Sequence, residues 1–484
     1  MTAVALVVAG AAFVAGLALG LRNWRWSIYG LLAYVPISGI PLDVTYGHRL
    51  QRAVAVLAID FVFVLPAYVG FAFWAWPRRR RLTFRGIPFV AVGALGLVVL
   101  VQGFNPRLPS HLLGLIGIKV WLFYIPLLAV GYHLVRTRKE LHRLVTSIAL
   151  LAVVPAVIGV AEAALLYSGH GDTVYSVYGH AAGAVTQQYT ALVLAGGGNL
   201  KRIPSTFSSF YQYYLFLAVS IAAGYAWWRR ARATSWEGAA AAAVLVLLAV
   251  ASCLTGVRAA FFMTPLLLVL MVALEGRAAV RFVARALVPV AVVLALATAV
   301  PATRLLDAWK TGAHTVRVEF GDVIVSSGRQ AFHATRLGLG AGVDSVGGRY
   351  AYSSEGSWNR AVFPVLHGDF VESWWLRAYV ELGIVGIVAV IALFGLLLVR
   401  GYRAHASLRD AGLRACSAAF LAVAIWTTVY DVKAQYLDLT PLNVYFWLFA
   451  GILLGLPELE RRRGAAAETA AEPVAGEVPV AAER

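Results

Sequence analysis

The stretch AAAAVLVLLAVASCLTGVRAAFFMTPLLLVLMVAL, residues 240–274, carries one charged side chain, Arg258, between two apolar runs. A helix needs about 20 mostly apolar residues to cross the hydrocarbon core of a bilayer, and each run approaches that length. The LTGVR segment between the runs leaves barely one turn, and Gly256 permits a tight one. The stretch therefore predicts two membrane-spanning helices joined by a short turn that holds a permanent cation.

The composition of the whole chain agrees with this interpretation. Of its 484 residues, 60% are hydrophobic and 13% are charged, and the mean hydropathy is +0.75. Soluble domains are about half apolar and a quarter charged, so we predict an all-α polytopic membrane protein. A net charge of +17 would suggest nucleic acid in a soluble chain. Here the arginines cluster between apolar runs, as membrane orientation requires, and we expect no nucleic-acid partner.

Hydropathy predicts thirteen spans, or twelve if the first is a cleaved signal peptide, which remains an alternative. The chain shows no CxxC or HExxH spacing, so we expect no structural metal. The predicted spans are roughly 2–21, 26–42, 53–76, 86–104, 112–135, 144–166, 207–228, 237–255, 259–274, 286–300, 372–399, 415–431 and 439–456.

Basic residues alternate strongly from loop to loop. The positive-inside rule makes the loops rich in arginine cytoplasmic, which places the N-terminus outside, the C-terminus inside and Arg258 on the outer side. We predict a multi-pass membrane protein with this orientation. The predicted divisions are 1–300 (spans 1–10 with an outer loop at 167–206), 301–371 (an extracytoplasmic loop domain), 372–458 (spans 11–13) and 459–484 (a disordered cytoplasmic tail). The predicted cytoplasmic clusters contain Arg22 and Arg25; Arg78–Arg81 and Arg85; Arg136, Arg138, Lys139 and Arg143; Arg229, Arg230 and Arg232; Arg277, Arg281 and Arg285; Arg400, Arg403, Arg409 and Arg414; and Arg461–Arg463.

Ionisable residues within spans are costly in lipid, so each is a candidate functional residue. Asp60 and Lys119 both lie about eight residues, or roughly 12 Å, inside the predicted outer face, and this similar depth predicts an ion pair. The pair could be structural or could bind a ligand. Glu162 lies near the outer end of its helix, and together the three residues indicate a cavity that opens outward. Glu381, beside Gly383, is expected to tie helices together rather than to do chemistry.

The long outer loop is less apolar than the rest of the chain. Residues 316–337 could form an amphipathic helix or a helix pair. GLGAGVDS (338–345) superficially resembles a dinucleotide loop, but it follows no strand, and a glycine-permitted tight turn is the better interpretation. The aromatic and polar segment 349–370 suits a sugar, although a simple cap over the cavity would have a similar composition.

Three segments then occur in a defined order: LTGVRAAF (254–261), SGRQAFHATRLGLGAG (327–342) and VESWWLRAYVELGIVGI (371–387). This order resembles the O-antigen ligase and O-antigen polymerase superfamily of bacterial envelope glycosyltransferases. That family typically has a Ser-Arg-Gly-like turn, a helix arginine ahead of a G-x-G turn, and a re-entry motif that begins with histidine and contains E-x-G-L-x-G. NPRLPSHLLGLIGIKVWLFYIPLLAVG (105–131) and KRIPSTFSSFYQYYLFLA (201–218) also look like family segments.

The chain departs from the family pattern at two places. Val257 and Ala259 flank Arg258 where the family often has serine and glycine, whereas Arg329 matches the helix arginine. Glu372 stands in the place of the family's histidine, and His367 lies five residues earlier. This departure weakens the ligase assignment and leaves a polymerase or related transferase open.

The resemblance implies transfer of a glycan from an undecaprenyl-pyrophosphate carrier to a lipid or glycan acceptor, without metal or cofactor. It also implies that the protein lies in the cytoplasmic (inner) membrane with its active site facing outward. Membrane lipids are the other expected partners. A lipid-linked glycan transporter and a non-catalytic envelope scaffold remain alternatives. The implied general base is Glu372 or His367, and the implied pyrophosphate ligands are Arg258, Arg329, Arg202 and Lys119.

Overall fold

The computed structural model describes residues 2–80, 82–108, 111–179, 192–193, 199–231, 235–276, 338–346 and 373–471. Their regular secondary structure is helical, apart from one pair of two-residue strands, and the all-α fold class is confirmed for them. Seven of the described helical segments are long and apolar enough to cross a membrane. They are Leu50–Arg78, His111–Leu134, Arg138–Tyr167, Trp236–Leu254, Trp374–Ser407, Ala411–Tyr430 and Leu442–Arg462.

Short connections separate the helices. Small polar residues cap many of the helix N-termini, because their side chains accept the otherwise unpaired main-chain N–H groups; Asn23, Thr137, Ser209, Ser235, Ser373 and Asp410 do so here. The first eleven helices are α1 (Thr2–Arg22), α2 (Trp24–Tyr34), α3 (Gly39–Val44), α4 (Arg49–Ala58), α5 (Leu65–Ala75), α6 (Phe89–Gly103), α7 (His111–Leu122), α8 (Leu127–Leu134), α9 (Arg138–Leu151), α10 (Val153–Tyr167) and α11 (Gly171–Tyr178). Strands β1 (Leu192–Val193) and β2 (Asn199–Leu200) follow, and then α12 (Phe210–Arg230), α13 (Trp236–Leu254), α14 (Ala260–Glu275), α15 (Trp374–Ser407), α16 (Ala411–Tyr430) and α17 (Leu442–Ala471).

Helix α12 is the central helix of the bundle. Sixteen of its 21 residues are buried, and it packs against α9, α13, α14 and α16. Because protein surrounds this helix, its side chains, which include Tyr213 and Tyr214, contact other helices rather than lipid. A second close pair is α8 with α17. A Cβ atom on Gly131 would lie 2.3 Å from the Leu448 carbonyl oxygen, so glycine allows these two backbones to approach.

The loops predicted to be cytoplasmic meet at one end of the bundle, which we call the basic end. Contacts join each of the seven clusters, or the residues beside them, to another cluster, and the grouping expected from charge alternation is therefore present in the fold. The contacts are Arg25 with the His133 carbonyl, Arg138 with Asp410, Arg230 with the Arg138 carbonyl, Arg229 with Glu275, Arg400 with the Gly86 carbonyl, and the Arg409 N–H with Glu460.

The other connections meet at the opposite end, which we call the Arg258 end. It holds the turn Thr255–Arg258, helices α3 and α11, and the segment that leads into α12. The Thr206 hydroxyl donates to the Pro36 carbonyl there. A Cβ atom on Gly39 would overlap the Phe207 main chain, so α3 and this segment are in close contact.

Two boundaries differ from the predictions. The single span expected at 26–42 is wrong: α2 ends at Tyr34, and a 3-10 turn and α3 follow, since Pro36 and Pro41 interrupt a regular helix. The tail expected to be disordered from residue 459 is helical as far as Ala471. Alanine, glutamate and arginine favour helix, and Glu458 pairs with Arg461 one turn later. Predicted span 286–300 and loop residues 301–337 and 347–371 lie outside the described residues.

Which end of the bundle faces the cytoplasm can be tested with single cysteines. In a variant with Cys253 and Cys416 replaced by alanine, we expect Val177→Cys at the Arg258 end to react with a membrane-impermeant maleimide in intact cells. Ser407→Cys at the basic end should react only after permeabilisation, because the arginine-rich loops are predicted to be cytoplasmic. Val177 and Ser407 are both exposed, so burial does not decide the result. Labelling of position 407 alone in intact cells would reverse the predicted orientation.

Candidate functional site

The turn that carries Arg258 packs against the segment that carries Arg202. The Ile203 N–H donates to the Thr255 carbonyl at 3.0 Å. Gly256 has φ +76°, and a Cβ atom there would lie 2.2 Å from the Lys201 carbonyl oxygen and 2.8 Å from the Arg202 Cα. Only glycine allows this approach. Two arginines that are distant in sequence are thus carried on adjoining main-chain segments at one end of the bundle.

Hydroxyl groups hold the Arg258 turn in shape. The Thr255 hydroxyl donates to the Ser252 carbonyl at 2.8 Å and accepts from the Val257 N–H at 3.3 Å. The Ser252 and Thr264 hydroxyls lie 2.9 Å apart, which links α13 to α14 directly across the turn. All these groups are buried, whereas Arg258 itself is half-buried. The arginine therefore extends from a rigid turn.

Glu162 fastens the Arg202 segment to the bundle. Its carboxylate accepts from the Tyr178 hydroxyl at 2.5 Å and from the Ser205 N–H at 3.0 Å, and the Ser205 hydroxyl donates to the Pro155 carbonyl at 2.7 Å. Ser205 has φ +52°, a strained conformation for a residue other than glycine. These three hydrogen bonds support this conformation. Glu162 thus has a clear positioning role.

A row of aromatic rings leads away from Arg202 towards the turn between α16 and α17. The Arg202 guanidinium lies 4.7 Å from the centre of the Phe210 ring, a cation–π distance. Phe210 and Tyr211 are 4.1 Å apart between ring centres, Tyr211 and Tyr436 are 5.7 Å apart, and Tyr436 and Tyr430 are 4.2 Å apart. The arginine pair and the α16–α17 turn therefore border the same aromatic region.

Arg377 is the centre of a buried ionic network beyond this row. It is 1% exposed and lies in the first turn of α15. Its Nε donates to Glu381 at 2.8 Å, one terminal nitrogen contacts Asp438, and the other lies 3.4 Å from Asp344. The Trp121 indole N–H donates to the second Glu381 oxygen at 2.8 Å, and its ring lies within cation–π distance of the guanidinium. One cation therefore joins three carboxylates from separate parts of the chain.

The GLGAGVDS segment is a turn that forms main-chain hydrogen bonds with α15. Gly383 has φ +73° and interrupts the helix, and the Ile384 N–H donates to the Gly338 carbonyl at 2.8 Å. The Ala341 N–H donates to the Val380 carbonyl at 2.8 Å, and a Cβ atom on Gly340 would lie 2.7 Å from the Glu381 carbonyl oxygen. The predicted glycine-permitted turn and the predicted tying role of Glu381 are both confirmed.

The predicted pair of Asp60 and Lys119 is also confirmed. The Lys119 ammonium lies 2.6 Å from one Asp60 oxygen, and the Tyr124 hydroxyl donates to the other. Asp60 is 3% exposed and lies in a π-helical turn, Ile59–Val64, between α4 and α5. Unpaired, such a carboxylate would be costly to bury, and the ammonium and hydroxyl offset that cost.

Asp43, in α3, is an acidic group at the Arg258 end that the sequence did not single out. Burial raises the pKa of this carboxyl to about 7, the nearby Arg52 opposes the rise, and Glu162 adds to it. A carboxyl with such a pKa can exchange a proton near neutral pH, which general acid–base chemistry requires.

The structure brings together only part of the predicted site. Arg202 and Arg258 are adjacent through their main chains, and Lys119 is engaged with Asp60, whereas Arg329, His367 and Glu372 lie outside the described residues. The sequence interpretation missed Arg377, Asp344 and Asp438. One signal was available for Arg377: it is an ionisable residue inside a predicted span, with a glutamate four positions later.

Comparison with known proteins does not identify this chain. No protein-family model matches it, and no curated protein matches its sequence significantly.

Proposed function

We propose that the protein is a membrane glycosyltransferase of the O-antigen ligase or polymerase type. In this proposal it moves a glycan from an undecaprenyl-pyrophosphate carrier to an acceptor hydroxyl on the outer side of the cytoplasmic membrane. The observation that carries the proposal is the packing of the Arg202 segment against the rigid Arg258 turn.

Two neighbouring arginines suit a pyrophosphate leaving group. The carrier leaves as a multiply charged anion, so the transition state gains negative charge on phosphate oxygens. A guanidinium supplies a fixed charge and two parallel N–H donors that match these oxygens. Buried hydroxyls hold the turn from which Arg258 extends, so the point where this side chain leaves the main chain is fixed before the reaction. A fixed attachment of this kind favours stabilisation of developing charge.

The predicted base is Glu372, with His367 as the alternative, and both roles remain predictions. Described residues beside Glu372 are firmly held. Ser373 caps α15, and the Trp374 N–H donates to the Asp431 carbonyl at 3.0 Å. The anchored start of α15 would give a base at this point of the chain a fixed attachment, which general base catalysis favours. Lys119 has weaker support as a phosphate ligand because its ammonium already pairs with Asp60.

The products that accumulate when the gene is deleted test the proposal. We expect lipid-linked glycan to build up on the polyprenyl carrier, measured by mass spectrometry of extracted lipids. Single repeat units on the carrier would identify a polymerase, and long chains stranded on the carrier would identify a ligase. An unchanged pool of lipid-linked glycan would contradict the proposal, and complementation with the intact gene provides the control.

A further inference from the structure

A recess at the basic end lies between the α1–α2 junction, α5 and the loop that follows α8. Its volume is about 390 Å³. The charged side chains that line it are all arginines: Arg22, Arg25 and Arg136. Glu140 lies near Arg25, and its carboxylate accepts the Arg136 main-chain N–H at 2.7 Å. Three arginines against one glutamate leave the recess with a net positive charge, which favours an anionic ligand.

Two of the three arginines, Arg25 and Arg136, contact aromatic rings or the main chain. The Arg25 guanidinium donates to the His133 carbonyl at 2.8 Å and lies 5.3 Å from the Trp24 ring centre. Its Nε is buried and has no hydrogen-bond partner among the described residues. The Arg136 guanidinium lies 5.5 Å from the Trp74 ring centre. A ligand with several acceptor oxygens would screen the repulsion between these arginines.

Two apolar side chains that line the recess face outward from the bundle. Leu21 is 49% exposed and Phe73 is 68% exposed, and both line the recess. The floor is rigid, since a Cβ atom on Gly70 would lie 2.0 Å from the Gly20 carbonyl oxygen where α1 and α5 cross. In a chain whose apolar helices lie in a membrane, such exposed side chains contact acyl chains. One end of a ligand bound here would thus contact the arginines, and its other end would contact apolar side chains.

We propose that this recess binds the phosphodiester headgroup of an anionic phospholipid, with the acyl chains lying along Leu21 and Phe73. This site is separate from the Arg258 end and does not depend on the proposed transfer reaction. Phosphate chemistry could also be supplied by free inorganic phosphate. The exposed Leu21 and Phe73 side chains favour the lipid.

Native mass spectrometry of the detergent-purified full chain tests the proposal, with phosphatidylglycerol and phosphatidylcholine as probes. We expect preferential retention of phosphatidylglycerol. The variant Arg22→Gln/Arg136→Gln, whose side chains are exposed, should weaken this binding about tenfold or more, because each arginine loses a charge-assisted contact. The matched variant Arg79→Gln/Arg80→Gln removes the same charge outside the recess and should bind normally.

Equal weakening in the two double variants would overturn the proposal, since general surface charge would then explain the binding. Equal retention of phosphatidylcholine would overturn it as well. Arg25→Lys provides an independent test, because lysine keeps the charge but loses the planar fork, and phosphatidylglycerol binding should fall in protein with an unchanged unfolding temperature. Displacement of the lipid by millimolar inorganic phosphate would assign the site to free phosphate and overturn the lipid assignment.

Discussion

Arg258→Lys is expected to reduce glycan transfer from a purified lipid-linked donor by on the order of a hundredfold, and Arg202→Lys should have a similar effect. Lysine keeps the charge but cannot offer two parallel N–H donors to a phosphate. Folding should change little, because the hydrogen bonds that hold the turn use the Thr255 hydroxyl and main-chain groups. The measurement is the initial rate of transfer, with the unfolding temperature recorded for each variant.

The double variant makes this prediction sharper. If Arg202 and Arg258 bind the same pyrophosphate, their effects should not multiply, because losing one partner already disrupts the geometry that the other uses. Arg52→Lys is the matched control: Arg52 is an exposed arginine on α4, near Asp43, and its replacement should leave the rate unchanged. Near-normal transfer by folded Arg258→Lys and Arg258→Ala would reduce Arg258 to a membrane-interface anchor.

Properties that depend on local composition could be predicted from the sequence. Apolar length located most of the spans, and charge alternation identified the loops that meet at the basic end. The pair of Asp60 and Lys119 was predictable because two opposite charges at similar depth in a bilayer have a strong reason to meet. In each case, a pattern of apolar or charged residues along the sequence predicts a position along the membrane normal.

Lateral neighbours could not be predicted in this way. The depth of a residue in the membrane does not determine which helices are in contact. No sequence pattern therefore places Asp344 and Asp438 beside Arg377. The approach of the Arg202 segment to Gly256 depends on a positive φ angle and a missing Cβ atom, which are visible only in three dimensions. The interruption after Tyr34 was missed because the apolar run continues through two prolines, and hydropathy does not record backbone geometry.

Arg377→Met should be the most destabilising of the substitutions considered. It leaves Glu381, Asp344 and Asp438 close together without their shared cation, and the first two are at most 3% exposed. Removing one member of a buried ionic network typically costs about 3–5 kcal/mol, since the remaining charges stay desolvated. We expect a large fall in the unfolding temperature in detergent micelles. Arg403→Met, the same change at an exposed position of α15, should have little effect.

Removing the carboxylates that Arg377 neutralises should restore part of the lost stability. This recovery distinguishes the structural role of Arg377 from the proposed ligand-binding role of Arg258. Adding Glu381→Gln and Asp438→Asn to Arg377→Met removes two of the three stranded carboxylates and should recover part of the unfolding temperature. The Trp121 indole can still donate to the side-chain oxygen at position 381 in that variant, because an amide keeps one acceptor. If Arg377→Met unfolded at the temperature of Arg403→Met, the network would not stabilise the fold. If Arg377 has this structural role, transfer activity of Arg377→Met should fall in proportion to the amount of folded protein. Arg258→Lys should instead lose transfer activity while it stays folded.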